Sequence, residues 1–204
     1  MLSLLFVAAT FWTAHIDCPA DRADFERIDA QYNAAIREFY AAHARTPPTV
    51  WRLATADGAY IGLRPRGTLA DVATPQLPSD LLKELTAKTA PISEATHKIL
   101  RAHHSELWQL EPELTTQRDN PMPRKYSMMR TDVVSPPRND EYEKAVKQLV
   151  QELAANGVET MGFFSSYGDG AYHYIFSSDK PIRVRALKGF GETRDVAIIT
   201  LEIR

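Results

Sequence analysis

The sequence predicts an α+β fold made of two tandem βαββαβ units, and three observations predict it. The tetrapeptide DGAY occurs twice, at Asp57-Gly58-Ala59-Tyr60 and Asp169-Gly170-Ala171-Tyr172, each time between β-rich runs. A helix-spaced apolar stripe precedes each copy, and a strand-like run precedes each stripe. Three residue pairs in those runs share one offset of 115 positions: Phe11 with Tyr126, His15 with Arg130, and Asp17 with Asp132. The hairpins are offset by 112, a difference that small loop insertions and deletions account for. Repetition at this scale is the signature of a duplicated structural unit.

In chain order, residues 1–9, MLSLLFVAA, are apolar and end in small residues. They read either as the remnant of a signal peptide or as a strand or arm at a mature N-terminus. The first reading places the protein in the periplasm or outside the cell, the second leaves it cytoplasmic. The first unit spans 10–112. TFWTAHIDC is its first strand. The helix from Asp21 to about His43 carries Phe25, Ile28, Tyr32, Ile36, Phe39 and Tyr40 at helical spacing, with Asp21 as its cap and Pro47-Pro48 beyond its end. TVWRLAT and YIGLRP flank the first Asp-Gly, a hairpin signal because glycine supplies positive φ freely. Helical segments follow at about Ser79–Ala87 and Ser93–His104, and LWQLEP is the last strand of the unit.

Residues 113–124, rich in Pro and polar residues, link the halves. The second unit spans 125–204. KYSMMRTDVV is its first strand. Tyr142, Ala145, Val146, Leu149, Val150 and Leu153 form the stripe of its helix, which Asn156-Gly157 closes. ETMGFFSSY and YHYIFSS flank the second hairpin, PIRVRALKGFGE has room for one helical turn at most, and DVAIITLEI is the final strand.

The βαββαβ order is the ferredoxin-like split unit. Two such units, each with a long first helix and a tight hairpin between its second and third strands, resemble the dimeric α/β-barrel superfamily in its fused, tandem form. That group includes antibiotic-biosynthesis monooxygenases, the NIPSNAP and EthD families and the chlorite dismutase-like haem proteins. The resemblance covers the chain from Thr10 onward and rests on element order and duplication. It implies a pseudo-dimeric barrel with a cavity between two sheets, and no family's catalytic residues carry over to this chain.

Composition narrows the partners. The 24 basic and 26 acidic residues give a formal charge of −2 without a basic stripe, so no nucleic-acid partner is expected. No apolar run is long enough to span a bilayer. Cys18 is the single cysteine, which rules out an intrachain disulfide. A fused pair could still form a homodimer through an outer sheet edge.

Alternation of side chains along the strands suggests where a site lies. If Trp12, Ala14, Ile16 and Cys18 lie under the helices, then Phe11, Thr13, His15 and Asp17 face the space between the sheets. The same parity turns Arg52, Tyr60, Arg64, Arg130, Asp132, Tyr172 and Tyr174 inward, with Trp51, Leu53, Ile61 and Leu63 as core. As ion pairs, these groups would merely tie the halves together. As a pocket, arginine forks would bind an anion, tyrosines would cover a ring, and His15 with Asp17 would carry protons. The ligand is then a small polar, aromatic or anionic molecule held without a cofactor. Two function classes stay open: an exported binder of such a ligand, and a cofactor-independent monooxygenase or isomerase. HKILRAHHSELW offers His97, His103 and His104, with His97 and His104 seven apart on the expected helix, but no acidic or cysteine partner completes a metal site, and no haem-attachment sequence is present. Ser165 and Ser166 lack a nucleophile-elbow pattern.

Overall fold

A computed structural model describes residues 11–116, 124–134, 139–167 and 170–203. The 1–9 leader reading, residues 117–123 of the linker and Asp169 of the second hairpin lie outside the described residues. The first half runs β1 (Phe11–Pro19), α1 (Arg22–Ala42), β2 (Trp51–Thr55), β3 (Tyr60–Gly67), α2 (Leu69–Ala73), α3 (Ser79–Ile99) and β4 (Leu100–Leu110). The second runs β5 (Tyr126–Val134), α4 (Asn139–Ala155), β6 (Glu159–Tyr167), β7 (Tyr172–Ser178) and β8 (Gly191–Ile203).

All eight strands close into one barrel in the order β1-β3-β2-β8-β5-β7-β6-β4. Each half supplies four neighbouring strands in the same order, β4-β1-β3-β2 and β8-β5-β7-β6, as the tandem ferredoxin-like reading requires. Two seams join them: β2 with β8, where Leu53 faces Leu201, and β4 with β6, where Trp108 faces Ser165. Among the described residues the ring is closed and leaves no free edge strand, so a homodimer would form through another surface. Gly58 and Gly170 hold φ of 92° and 70° in the two hairpin turns, the conformation for which glycine was read there.

α1 starts on Asp21, whose carboxylate accepts the Asp24 N–H at 2.8 Å. α3 is one helix where the sequence suggested two. Pro91 lies inside it and forfeits one backbone bond, yet Leu81 and Leu85 packed near Phe39 and Tyr40 of α1 hold its first half in place. The expected helical stretch through His104 is instead β4 from Leu100. There Ala102, His104, Glu106, Trp108 and Leu110 alternate with outward residues, a period-two pattern that polar residues conceal.

The barrel interior is the main core. Trp12, Ala14, Trp51, Leu53, Ile61, Leu63, Trp108, Leu110, Met161, Phe163, Ile175 and Ile198 fill it from both halves, with Trp12 edge-on to Trp51 at 5.3 Å. This reverses the expected facing. The set Trp12, Ala14, Ile16 points into the barrel, while His15 and Asp17 point outward under the helices. An eight-stranded barrel is just wide enough for side chains to fill or to hold one small ligand, so its core takes the bulkiest apolar residues. Both faces of most strands are covered here, β8 with exposed Asp195, Ala197 and Ile199 being the exception, so alternation separates two faces without saying which is inside.

Candidate functional site

Four predicted site residues, His15, Asp17, Arg52 and Arg64, come together in a pocket of about 420 Å³ between the first sheet and its helices α1 and α3. Strand geometry explains the grouping. His15 pairs with Gly62 across β1 and β3, and Gly62 pairs with Arg52 across β3 and β2, so all three share one face and one level. α1 adds Asp29, Tyr32 and Asn33, and the α3–β4 segment adds His97 and His103.

The charges are arranged around Arg52. Its guanidinium lies 3.1 Å from Asp29 and 3.7 Å from Asp17, and it covers the rings of Phe25 and Tyr60 at 5.0 and 5.2 Å. Asp17 Oδ1 is also 2.7 Å from His103 Nδ1. Arg64 donates to Gln76. The Nε atoms of Arg52 and Arg64 are buried and have no hydrogen-bond partner among the described residues. Donors of that kind are costly unless an acceptor reaches them, and an anionic group in the pocket is such an acceptor.

His15 has its Nδ1 2.7 Å from Ser105 Oγ. Its Nε2 makes no hydrogen bond among the described residues and is the nitrogen left to act on a ligand. Partial burial lowers the pKa of His15 below its ordinary 6.5; Asp17 opposes this, while His103, Arg64 and Arg52 add to it. The ring is therefore neutral near pH 7 and able to accept a proton. Tyr60, also predicted here, sits beside the pocket without lining it. It is buried, donates to Glu26 Oε1 at 2.6 Å, and has its pKa pushed up to about 12 by burial and that bond.

The other four predicted residues lie elsewhere. Arg130, Asp132, Tyr172 and Tyr174 occupy the corresponding face of the second half, beneath α4, far from any shared cavity with His15. Arg130 forms a two-pronged bond to Asp195 at 2.7 and 2.8 Å and donates to the Arg185 carbonyl at 3.0 Å. Tyr142 Oη donates to Asp132 at 2.6 Å and lies 3.0 Å from Tyr174 Oη, and burial pushes both phenols far up. Tyr172 donates to Glu143 at 2.8 Å. Arg130, Tyr172 and Tyr174 are satisfied within the protein, whereas Asp132 Oδ1 is buried with no hydrogen-bond partner among the described residues; Tyr172 and Tyr174 belong to the apolar cluster under α4.

The duplication lets the two faces be compared position by position. Asp17 faces Tyr60 as Asp132 faces Tyr172, and His15 faces Gly62 as Arg130 faces Tyr174. Phe25 lies tilted against Tyr60 at 4.5 Å as Tyr142 lies tilted against Tyr172 at 4.9 Å. Continuing along each element, Asp29, Tyr32 and Asn33 stand where Val146, Leu149 and Val150 stand, and Arg64 stands where Phe176 stands. Arg52 corresponds to Gly162, over which Leu114 is so close that a Cβ would meet it at 2.7 Å. The same architecture is thus filled in one half, by apolar side chains around the buried Arg130 and Asp132, and left open and polar in the other.

Sequence reasoning did not single out Asp29 or Asn33, and His103, weighed there only as a metal ligand, lines this pocket instead. A signal existed for the first two: Phe25, Asp29, Tyr32 and Asn33 lie on one helical stripe, so two polar residues interrupt a buried face. His97 and His103 have rings 5.7 Å apart, brought together by the α3–β4 junction, whereas His104 points into the barrel. Among the described residues no His, Cys, Asp or Glu group is placed to hold a metal ion, and no helix is long and apolar enough to cross a membrane.

No protein-family model matches the chain, and no curated protein matches it. Solved structures do. One described as “putative monooxygenase” from Lactobacillus acidophilus NCFM is 13% identical with a TM-score of 0.52, covering 94% of both chains. Another with the same description, from Fusobacterium nucleatum, is 8% identical with a TM-score of 0.55, covering 96% of this chain and 94% of that one. An anthrone oxidase-like protein is 10% identical with a TM-score of 0.53, covering 96% and 93%. At these identities the likeness is one of fold, that of dimeric α/β barrels.

Proposed function

We propose that the pocket beneath α1 and α3 binds a small anionic molecule with a planar or aromatic body, and that His15 removes a proton from it. One observation carries the reading. The second half closes this space with Tyr174, Phe176, Val146 and Leu149, so the fold does not require a polar opening, and the first half keeps one. Arg52 and Arg64 supply donors for the anionic group, and Phe25 and Tyr32 supply apolar and aromatic walls.

The chemistry follows from the protonation states. Neutral His15 Nε2 accepts a proton from an acidic C–H or O–H of the ligand, and the arginines hold the resulting anion. Asp17, 2.7 Å from His103 and 3.7 Å from Arg52, fixes the orientation of both. Such an anion is the species that a cofactor-independent oxygenase passes to dioxygen and that an isomerase reprotonates at another atom. The oxygenase form agrees with the descriptions of two structures that share the fold.

The test is an NMR titration in D2O with a panel of aromatic carboxylic acids and polyphenols. The reading expects binding that shifts His15 and is weakened in Arg64→Met. It also expects exchange of an acidic carbon-bound ligand hydrogen for deuterium that stops in His15→Asn while binding persists. Saturable binding indifferent to Arg64, or exchange indifferent to His15, would sink it. Signal-peptide processing of residues 1–9, and hence export, is a separate proposal, read from the N-terminus of protein isolated from its host.

A further inference from the structure

The barrel interior contains a second cavity, about 540 Å³, on the opposite face of the first sheet from the pocket above. Its polar feature is Glu106 on β4, whose side chain is 5% exposed. Glu106 Oε2 accepts the Trp108 indole N–H at 2.7 Å and the Ser165 hydroxyl at 3.0 Å. His173 Nε2 lies 3.7 Å from the same oxygen, with its ring stacked on Trp108 at 4.1 Å and its Nδ1 3.2 Å from Thr131 Oγ1. Oε1 is 3.0 Å from Nε2 of His104, whose side chain is 53% exposed.

The duplication again shows what the fold itself requires. Strand register matches Glu106 with Val196, His173 with Ile61 and Thr131 with Ile16. All six line this one cavity, so it has a polar wall facing its own aliphatic counterpart. The aliphatic wall proves that the positions can be filled without polar groups. A buried carboxylate is costly, and barrel closure does not call for one.

The donor set indicates the ligand. The two arginines at the cavity are committed elsewhere, Arg194 to Asp57 and Arg101 to the Pro19 carbonyl at 3.0 Å. No Lys or Arg reaches Glu106 among the described residues. Charged donors make the strongest hydrogen bonds to a carboxylate in a site with little water. His104, half in solvent, is the partner most cheaply displaced. We propose that the barrel interior is a second ligand site for a small amphipathic amine, with its ammonium on Glu106 and its apolar body against Ile16, Ile61 and Val196. The proposal stands independently of the pocket beneath α1 and α3.

The experiment titrates the isotope-labelled full chain with benzylamine, phenethylamine and tryptamine, using benzyl alcohol and benzoate as controls, and follows the Trp108 indole N–H. The expected result is an amine that moves this signal and binds at least about tenfold tighter than the alcohol, a charge-assisted preference. The preference should vanish in Glu106→Gln, binding should vanish in Val196→Phe, and both should persist in Gly62→Tyr, which fills only the other pocket. Failure of all three amines, or a preference that survives Glu106→Gln, overturns the proposal. Should Glu106→Gln not fold, amine binding that survives Val196→Phe overturns it instead.

Discussion

Gly62 and Tyr174 hold the same place in the two halves of the barrel. Gly62 faces His15 across β1 and β3, and Tyr174 faces Arg130 across β5 and β7. Where the second half inserts a fully buried phenol ring, the first half inserts nothing, and a pocket lined by His15, Arg52 and Arg64 occupies the space. One duplicated unit has kept a filled core at this level and the other an opening.

The two positions should therefore respond oppositely to substitution. A Cβ at Gly62 would find its nearest neighbours at 3.7 to 4.0 Å, ordinary contact distances. Gly62→Ala should change stability by no more than about 1 kcal/mol, in the stabilising direction expected for a strand glycine. Tyr174→Ala should cost about 3–5 kcal/mol by opening a cavity beneath α4. Denaturant unfolding of both variants checks this.

The arginines should divide the same way. Arg130 is 1% exposed and holds Asp195 and a backbone carbonyl, so Arg130→Met should cost about 3 kcal/mol and leave ligand binding in the first half unchanged. Arg64 lies at a partly solvated pocket rim, so Arg64→Met should cost less than about 1 kcal/mol and weaken binding of an anion. Thermal unfolding paired with the ligand titration separates the two.

His15 should titrate below 6.5, because partial burial favours its neutral form. With the folded pKa depressed, its share of stability is present above about pH 6.5 and is lost as pH falls through the folded value. Asp17 works against the depression, so Asp17→Asn should lower the His15 pKa further. Histidine ring NMR across pH 4–8 reads both, and a His15 pKa above 6.5 would contradict the account.

The fold was legible because duplication multiplies weak signals. One Asp-Gly between apolar runs is a turn, whereas two preceded by matched helices and strands with paired His15/Arg130 and Asp17/Asp132 are an architecture. The 112 offset holds from the turn onward, but Ala54 faces Tyr60 while Phe164 faces Tyr172, so the second loop is two residues longer. Facing was not legible, since helices cover one surface of most strands and the barrel encloses the other. The site was half legible. His15, Asp17, Arg52 and Arg64 share a face by parity alone. Whether that face is filled depends on Gly62 against Tyr174 and on Asp29 against Val146, differences that appear only when the halves are superposed by register. Glu106 went unseen because RAHHSELW alternates polar residues with polar residues.

The central claim is that the opening beneath α1 and α3 is the working site. The most direct measurement is calorimetric titration of wild type and Gly62→Tyr with the tightest anionic ligand found for the wild type, after circular dichroism confirms that the variant is folded. The account predicts that Gly62→Tyr, which rebuilds in the first half what Tyr174 does in the second, folds normally and no longer binds. A folded Gly62→Tyr protein with undiminished affinity would contradict it.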